Sequence, residues 1–186
     1  AVSVQIRVDG GQVLKKVPQY IYGNNAVTWG GNMNLHATIM TDINNLNPHV
    51  LRWPGGNLSQ EYFWNLSEEE APGDVQTSIS PRYGVNDDNW QMSTDDFYDL
   101  LKNTNSTGSI CVNYSYARYG TGPDPVAKAA HLAAEWVRYD KGRTKFWEIG
   151  NENFGNWEAG YKIETSQNQD GQPEYISGRL YGQHCR

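Results

Sequence analysis

The run Lys145-Phe146-Trp147-Glu148-Ile149-Gly150-Asn151-Glu152-Asn153 decides how this chain is read. Its first part is apolar and aromatic, the make-up of a buried strand over residues 145–150. It then stops on a glycine followed by amides and a carboxylate. A strand ending this way delivers polar groups to one end of a sheet. The arrangement recurs upstream. Tyr20-Ile21-Tyr22-Gly23 runs into Asn24-Asn25, residues 49–53 into Pro54-Gly55-Gly56-Asn57, and residues 109–114 into Ser115-Tyr116.

Helical patterns separate these runs. Residues 34–47 place Leu35, Ile39, Ile43 and Leu46 at helical spacing. Ser93-Thr94-Asp95-Asp96 reads as a cap for a helix carrying Phe97, Leu100 and Leu101. Pro125 suits the first turn of a helix over residues 125–139, and residues 174–186 start another. Strands alternating with helices imply a parallel sheet, because each parallel connection needs a crossover. Such sheets bind ligands beyond the carboxyl ends of their strands, where every unusual cluster here falls. Before all this, residues 2–8 alternate apolar and polar side chains, the pattern of a strand with one wet face, and Asp9-Gly10-Gly11 signals a turn.

The 186 residues fit one domain with a proper core. Charged side chains make up 19 % and the net charge is −6, which argues against the basic footprint of a nucleic-acid binder. No apolar stretch approaches the roughly 20 residues of a membrane span. Seven Trp and twelve Tyr stand against four Phe, so most rings carry a polar edge. Sugars offer C–H faces and hydroxyls to such rings; composition leaves that reading and a ring-filled core equally open. Cys111 and Cys185 lack metal spacing, and Cys111 reads as a small apolar residue of a buried strand. No His pair has metal spacing and no Gly-x-Gly-x-x-Gly run follows a strand, so neither metal nor other cofactor is expected. Ala1 in place of an initiator Met points to a processed or trimmed product.

Glycosidic bonds are cleaved by two carboxyl groups, an acid that protonates the leaving oxygen and a partner that attacks the anomeric carbon or activates water. The acid needs a raised pKa, from partial burial or a second negative charge. Glu152 lies just past an apolar strand between two amides, which meets that need. A lone Glu at a strand end is more often solvated or a cap; the surrounding cluster reverses that balance. Other acidic residues read blandly: Glu68-Glu69-Glu70 as a solvated loop face, Asp87-Asp88 as a turn and Asp95-Asp96 as a helix start. Asn-x-Ser/Thr sequons at Asn57, Asn65, Asn105 and Asn113 read as chance matches, since a glycan at Asn57 or Asn113 would obstruct the proposed site.

Phe146-Trp147-Glu148-Ile149-Gly150-Asn151-Glu152 resembles the fourth-strand signature of clan A, the large clan of retaining (β/α)8 glycoside hydrolases. Leu51-Arg52-Trp53-Pro54-Gly55-Gly56-Asn57 resembles the second-strand motif of the arabinofuranosidase and endoglucanase family numbered 51. Tyr20-Ile21-Tyr22-Gly23 gives a weaker likeness to the endoglucanases of family 44. The correspondence extends through Gly155-Asn156-Trp157 and Glu174-Tyr175. It implies an α/β fold, half of a TIM barrel with four parallel βα units, as one partial domain over residues 1–186. Residues 1–11 would form a strand belonging to a missing β-sandwich.

The resemblance also implies a retaining hydrolase of plant cell-wall polysaccharide, secreted or periplasmic. Glu152 would be the acid/base. Asn151 would donate to the sugar hydroxyl beside the anomeric carbon. Arg52 would hold the nucleophile ionised, with a plain barrel-interior ion pair as the other reading. Asn57 and Trp53 would line the glycone pocket, with Asn25 beside them at the first strand's exit. Trp64, Tyr114, Tyr116 and Trp157 are stacking platforms or loop packing, both open.

Two departures matter. Members of the family carry a Glu on the first-strand loop that binds arabinose, where this chain has Gly23-Asn24-Asn25-Ala26; that moves the preference to β-1,4-glucan, with arabinose side chains second. The clan's nucleophile is a Glu on the seventh strand, whereas this chain stops in the helix after its fourth. A whole barrel takes about 250 residues, and a half leaves two open parallel edges. A fragment, a half completed by a second copy or another chain, and a short sugar-binding paralogue stay open. The expected partners are an oligo- or polysaccharide and either a homodimer mate or the missing C-terminal half. Nucleic acid and membrane are not expected.

Overall fold

A computed structural model describes residues 2–86 and 90–186, so the Asp87-Asp88 turn lies outside the described residues. In chain order the elements are β1 (Gly23–Asn25), α1 (Ala37–Leu46), β2 (Val50–Trp53), β3 (Tyr62–Phe63), β4 (Arg82–Tyr83), α2 (Thr94–Thr104), β5 (Thr107–Val112), α3 (Tyr116–Tyr119), α4 (Pro125–Asp140), β6 (Thr144–Ile149) and α5 (Gly178–His184). β1, β2, β5 and β6 form one parallel sheet in that order. This is the mixed α/β architecture that strand–helix alternation predicts. β3 and β4 form a separate parallel ladder in the loop after β2, too short to leave a pattern in the sequence.

Successive strand residues point to opposite faces, and that parity organises the molecule. Leu51, Trp53, Ile110, Val112 and Trp147 pack with Phe97, Leu100 and Leu101 of α2 and Trp136 of α4. Arg52, Ser109 and Glu148 occupy the other face, where they bond one another. On the helical side Trp53 stacks on Phe97 at 5.0 Å between ring centroids, and Trp64 on Trp136 at 5.8 Å. Each such ring contributes about 1.5–3 kcal/mol on burial. A second cluster joins Phe63, Tyr114, Tyr116, Tyr119, Ala129 and Ile163.

Local signals place the helices. Ser93 and Asp96 form a reciprocal capping box at the start of α2, with Ser93 Oγ accepting from the Asp96 amide at 3.1 Å. Pro125 opens α4 as its fixed φ favours.

Four expectations change. The run 145–150 forms a strand but not a buried one, with Phe146 39 % and Ile149 46 % exposed, because β6 is an outer strand of the sheet. Pairing in the first strand begins only at Gly23, after a 3-10 turn at Gln19–Ile21 takes up residues expected to be extended. The last helix starts at Gly178 rather than near Glu174, because Ile163 and Ile176 amides bond to the Glu174 and Tyr161 carbonyls and hold the preceding segment extended. Residues 2–8 form no strand. Val2, Val4, Ile6 and Val8 are at least 78 % exposed, since nothing among the described residues supplies the second face that alternation needs.

Candidate active site

The site grows from the parity of β2. Leu51 and Trp53 face the helices, so Arg52 between them must face the other way. There its Nε donates to both Glu148 oxygens at 2.9 and 3.0 Å, and its Nη2 to Glu148 Oε2 at 2.8 Å. Nη1 donates to the Gly55 carbonyl and Nη2 to Asn151 Oδ1, each at 3.0 Å. Ser109 Oγ donates to Glu148 Oε1 at 2.9 Å. The Arg52 hydrogen bond is the main cause that holds the Glu148 carboxyl below its ordinary value, and the same bond raises the guanidinium's. Among the described residues, then, the carboxylate that Arg52 holds is Glu148, the ion-pair alternative for this residue.

Beyond β6 the backbone turns sharply. Gly150 has φ +72°, and a Cβ there would lie 2.5 Å from Asn153 Oδ1 and 2.7 Å from Tyr114 Cβ. Glu152 itself holds φ +38°, a left-handed conformation that costs a non-glycine residue about 1–3 kcal/mol and that clusters at functional sites. The residue is exposed, so the partial burial expected of the acid is not found, because β6 ends at the open edge of the sheet; its Oε2 accepts from Trp157 Nε1 at 3.1 Å. The side chain lines a cavity of about 450 Å³ with Asn153, Phe154, Tyr161, Ile176 and Tyr181. Arg52 and Asn151 are not among the lining residues, so the cavity is not shared with the Arg52–Asn151 pair.

Two loop residues that no sequence signal marks complete the cluster. Gln60 is fully buried, and its Nε2 donates to the Asn151 carbonyl at 2.7 Å and to Asn153 Oδ1 at 2.6 Å. Glu158 accepts from Asn151 Nδ2 at 2.8 Å. Burial is the main cause that pushes the Glu158 carboxyl above the ordinary range, and the nearby Glu152 charge adds to it.

The expected sugar-contacting residues divide. Trp157 is 60 % exposed and donates to Glu152, with its ring edge-on to Phe154. Asn25 is exposed at the end of β1, paired in register with Arg52. Asn57 is exposed but lines a different hollow, with Thr28, Trp29 and Arg82, so it does not join Glu152. Trp53 is fully buried against Phe97 and lines no glycone pocket, because its strand neighbour Arg52 already takes the site face. Trp64 is core as well, with Nε1 donating to the Leu132 carbonyl at 3.0 Å. Tyr114 is buried edge-on to Tyr181, and its hydroxyl meets His184 Nδ1 at 3.1 Å. Tyr116 is buried and donates to Asp74. Both are loop packing. Asn113 is buried too, bonded to Tyr119 and the Tyr62 carbonyl, which leaves no room for a glycan.

No family model matches the chain. Among curated proteins it is similar to the probable alpha-L-arabinofuranosidases C of Aspergillus terreus and Aspergillus clavatus, each 25 % identical over 134 residues. Those matches cover 65 % of this chain and 25 % of each relative. A solved arabinofuranosidase superposes with a TM-score of 0.50 at 20 % identity, over 84 % of this chain and 37 % of that structure. The chain therefore spans about a quarter of the length of the curated relatives it matches, and shares its parallel α/β fold with the corresponding part of an arabinofuranosidase.

Proposed function

We propose that this chain carries the acid/base half of a retaining glycoside hydrolase site for plant cell-wall polysaccharide, with Glu152 as the proton donor. The observation that carries this reading is the position of Glu152. It follows directly on Asn151, which is bonded to Arg52 at 3.0 Å, and it lines the cavity that holds Phe154, Tyr161 and Tyr181. In such a site the acid stands between the sugar whose anomeric carbon reacts and the group that leaves. Asn151 would meet the reacting sugar and the cavity would take the leaving group. Glu152 would protonate the departing oxygen, then as a carboxylate draw a proton from the water that releases the product.

α-L-Arabinofuranosides come first as substrates, since both curated relatives carry that name. β-Glucan comes second, on the amide loop Asn24-Asn25 in place of a carboxylate. The second carboxyl is proposed to come from the polypeptide that pairs with β1 and β6, the outer strands of the sheet, whether a second copy or the rest of a barrel. A secreted or periplasmic location suits such substrates; no helix among the described residues is long and apolar enough to cross a membrane.

A second reading, sugar binding without cleavage, is favoured by one observation: Glu148, Gly55 and Asn151 already engage the Arg52 guanidinium. Turnover of aryl α-L-arabinofuranosides and soluble β-glucan by the native protein separates the two. Glu152→Gln should lower kcat by about 10²–10⁴-fold with little change in sugar affinity. Binding with no turnover in either form selects the second reading, and no binding of any saccharide sinks both.

A further inference from the structure

Glu158 lies in the loop after β6 and is 4 % exposed. Its Oε1 accepts from Asn151 Nδ2, while its Oε2 is buried with no hydrogen-bond partner among the described residues. A buried carboxyl oxygen left without a partner costs about 1–3 kcal/mol or more.

Its placement does have a pattern. Trp157 donates to Glu152 and Glu158 accepts from Asn151, so two consecutive residues hold the two consecutive residues of the site. The loop is folded back for this by the Gly155 amide on the Glu152 carbonyl at 2.7 Å and the Glu158 amide on the Gly155 carbonyl at 3.0 Å.

An asparagine amide has two ends of nearly equal shape, and only its neighbours decide which end points where. Arg52 carries donors alone and therefore selects Oδ1. Glu158 offers an acceptor and therefore selects Nδ2. Turned over, the NH₂ would meet a guanidinium and the oxygen would meet a carboxyl oxygen, and both bonds would be lost.

We propose that Glu158 is a positioning residue that locks the Asn151 amide with Oδ1 on Arg52, leaving the second Nδ2 hydrogen for the sugar hydroxyl beside the anomeric carbon. The sugar-facing part rests on the glycosidase reading of Asn151; the lock itself does not. Glu158→Gln keeps an acceptor at Oε1, whereas Glu158→Leu removes it.

The test uses the full chain in three forms: wild type, Glu158→Gln and Glu158→Leu. Circular dichroism checks the fold, ¹⁵N–¹H spectra read the Asn151 side-chain amide, and titration with L-arabinose reads binding. Wild type and Glu158→Gln should both show one Asn151 amide proton shifted downfield by its hydrogen bond, and bind alike. In Glu158→Leu the Asn151 amide proton that Glu158 held should shift upfield and affinity fall about tenfold, the loss of one hydrogen bond to a charged group. If the leucine variant does not fold, Glu158→Asp withdraws the acceptor by one methylene and is read the same way. Unchanged Asn151 signals in a folded leucine or aspartate variant overturn the proposal. A disturbed amide in a protein that binds no sugar upholds the lock and overturns the glycosidase reading alone.

Discussion

Arg52 grips Glu148 through three hydrogen bonds of 2.8–3.0 Å, from Nε to both carboxylate oxygens and from Nη2 to one of them. β5 lies between the two parent strands, so this pair reaches across β5 and ties β2 to β6 on the site face of the sheet. The lowered pKa of Glu148 makes the tie dependent on pH. Its contribution is complete above the ordinary carboxyl value of 4.5 and is lost as pH falls through the lower folded value. At pH 7 Glu148→Gln should destabilise by about 1 kcal/mol, a modest figure because the two side chains are 22 % and 38 % exposed. Urea unfolding should show a smaller loss of stability on acidification in the variant than in wild type. Equal losses would remove the Arg52–Glu148 bond from the account.

Trp53, one residue along, should answer to packing alone. Trp53→Ala leaves a cavity beside Phe97 and should cost about 3–5 kcal/mol. Trp53→Phe keeps a ring beside Phe97 and leaves a smaller void, so it should cost less, about 1–2 kcal/mol. Thermal melts measure both. A sugar affinity that changes in the folded Phe variant would restore Trp53 to the binding site.

Arg118 is fully buried and spends its guanidinium on the loop that follows Glu152. It donates to the Gly160, Pro173 and Glu174 carbonyls and to Gln172 Oε1 at 2.7–3.2 Å. Arg118→Met should leave those acceptors unsatisfied, cost about 3 kcal/mol or more, and raise amide exchange across residues 158–175 before the sheet opens. Exchange that rises uniformly over the chain would refute a local role.

The two thiols should differ in reactivity. Burial pushes the Cys111 thiol up to about 11 and shields it, whereas Cys185 is exposed. The thiolate is the reactive form, so iodoacetamide at pH 8 should label Cys185 in the native protein and both residues after denaturation. Native labelling of Cys111 would show that the strand face around it opens readily.

Much of the fold was legible because strong local signals agreed with it. The apolar runs of β2, β5 and β6, the Ser93–Asp96 box and Pro125 at a helix start each act within a few residues. The errors have physical causes as well. Arg52 and Trp53 are neighbours on one strand and cannot share a face, so naming both as pocket residues overlooked the two-residue period. Trp64 and Tyr114 carry polar tips that satisfy themselves inside the molecule, on the Leu132 carbonyl and on His184. Gln60, in a short 3-10 turn, and Glu158, in an irregular loop, are single polar residues. Nothing near them in sequence shows that the chain returns to within hydrogen-bond reach of Asn151.

Gln60 carries one further consequence. It hangs from the turn after β2, yet its amide nitrogen holds the Asn151 carbonyl and Asn153 Oδ1, and its oxygen accepts from the Ser115 amide at 3.2 Å. Segments following β2, β5 and β6 thus share one internal rivet. The spacing of those three segments is therefore set by the fold itself, and a change at Gln60 should loosen all three together.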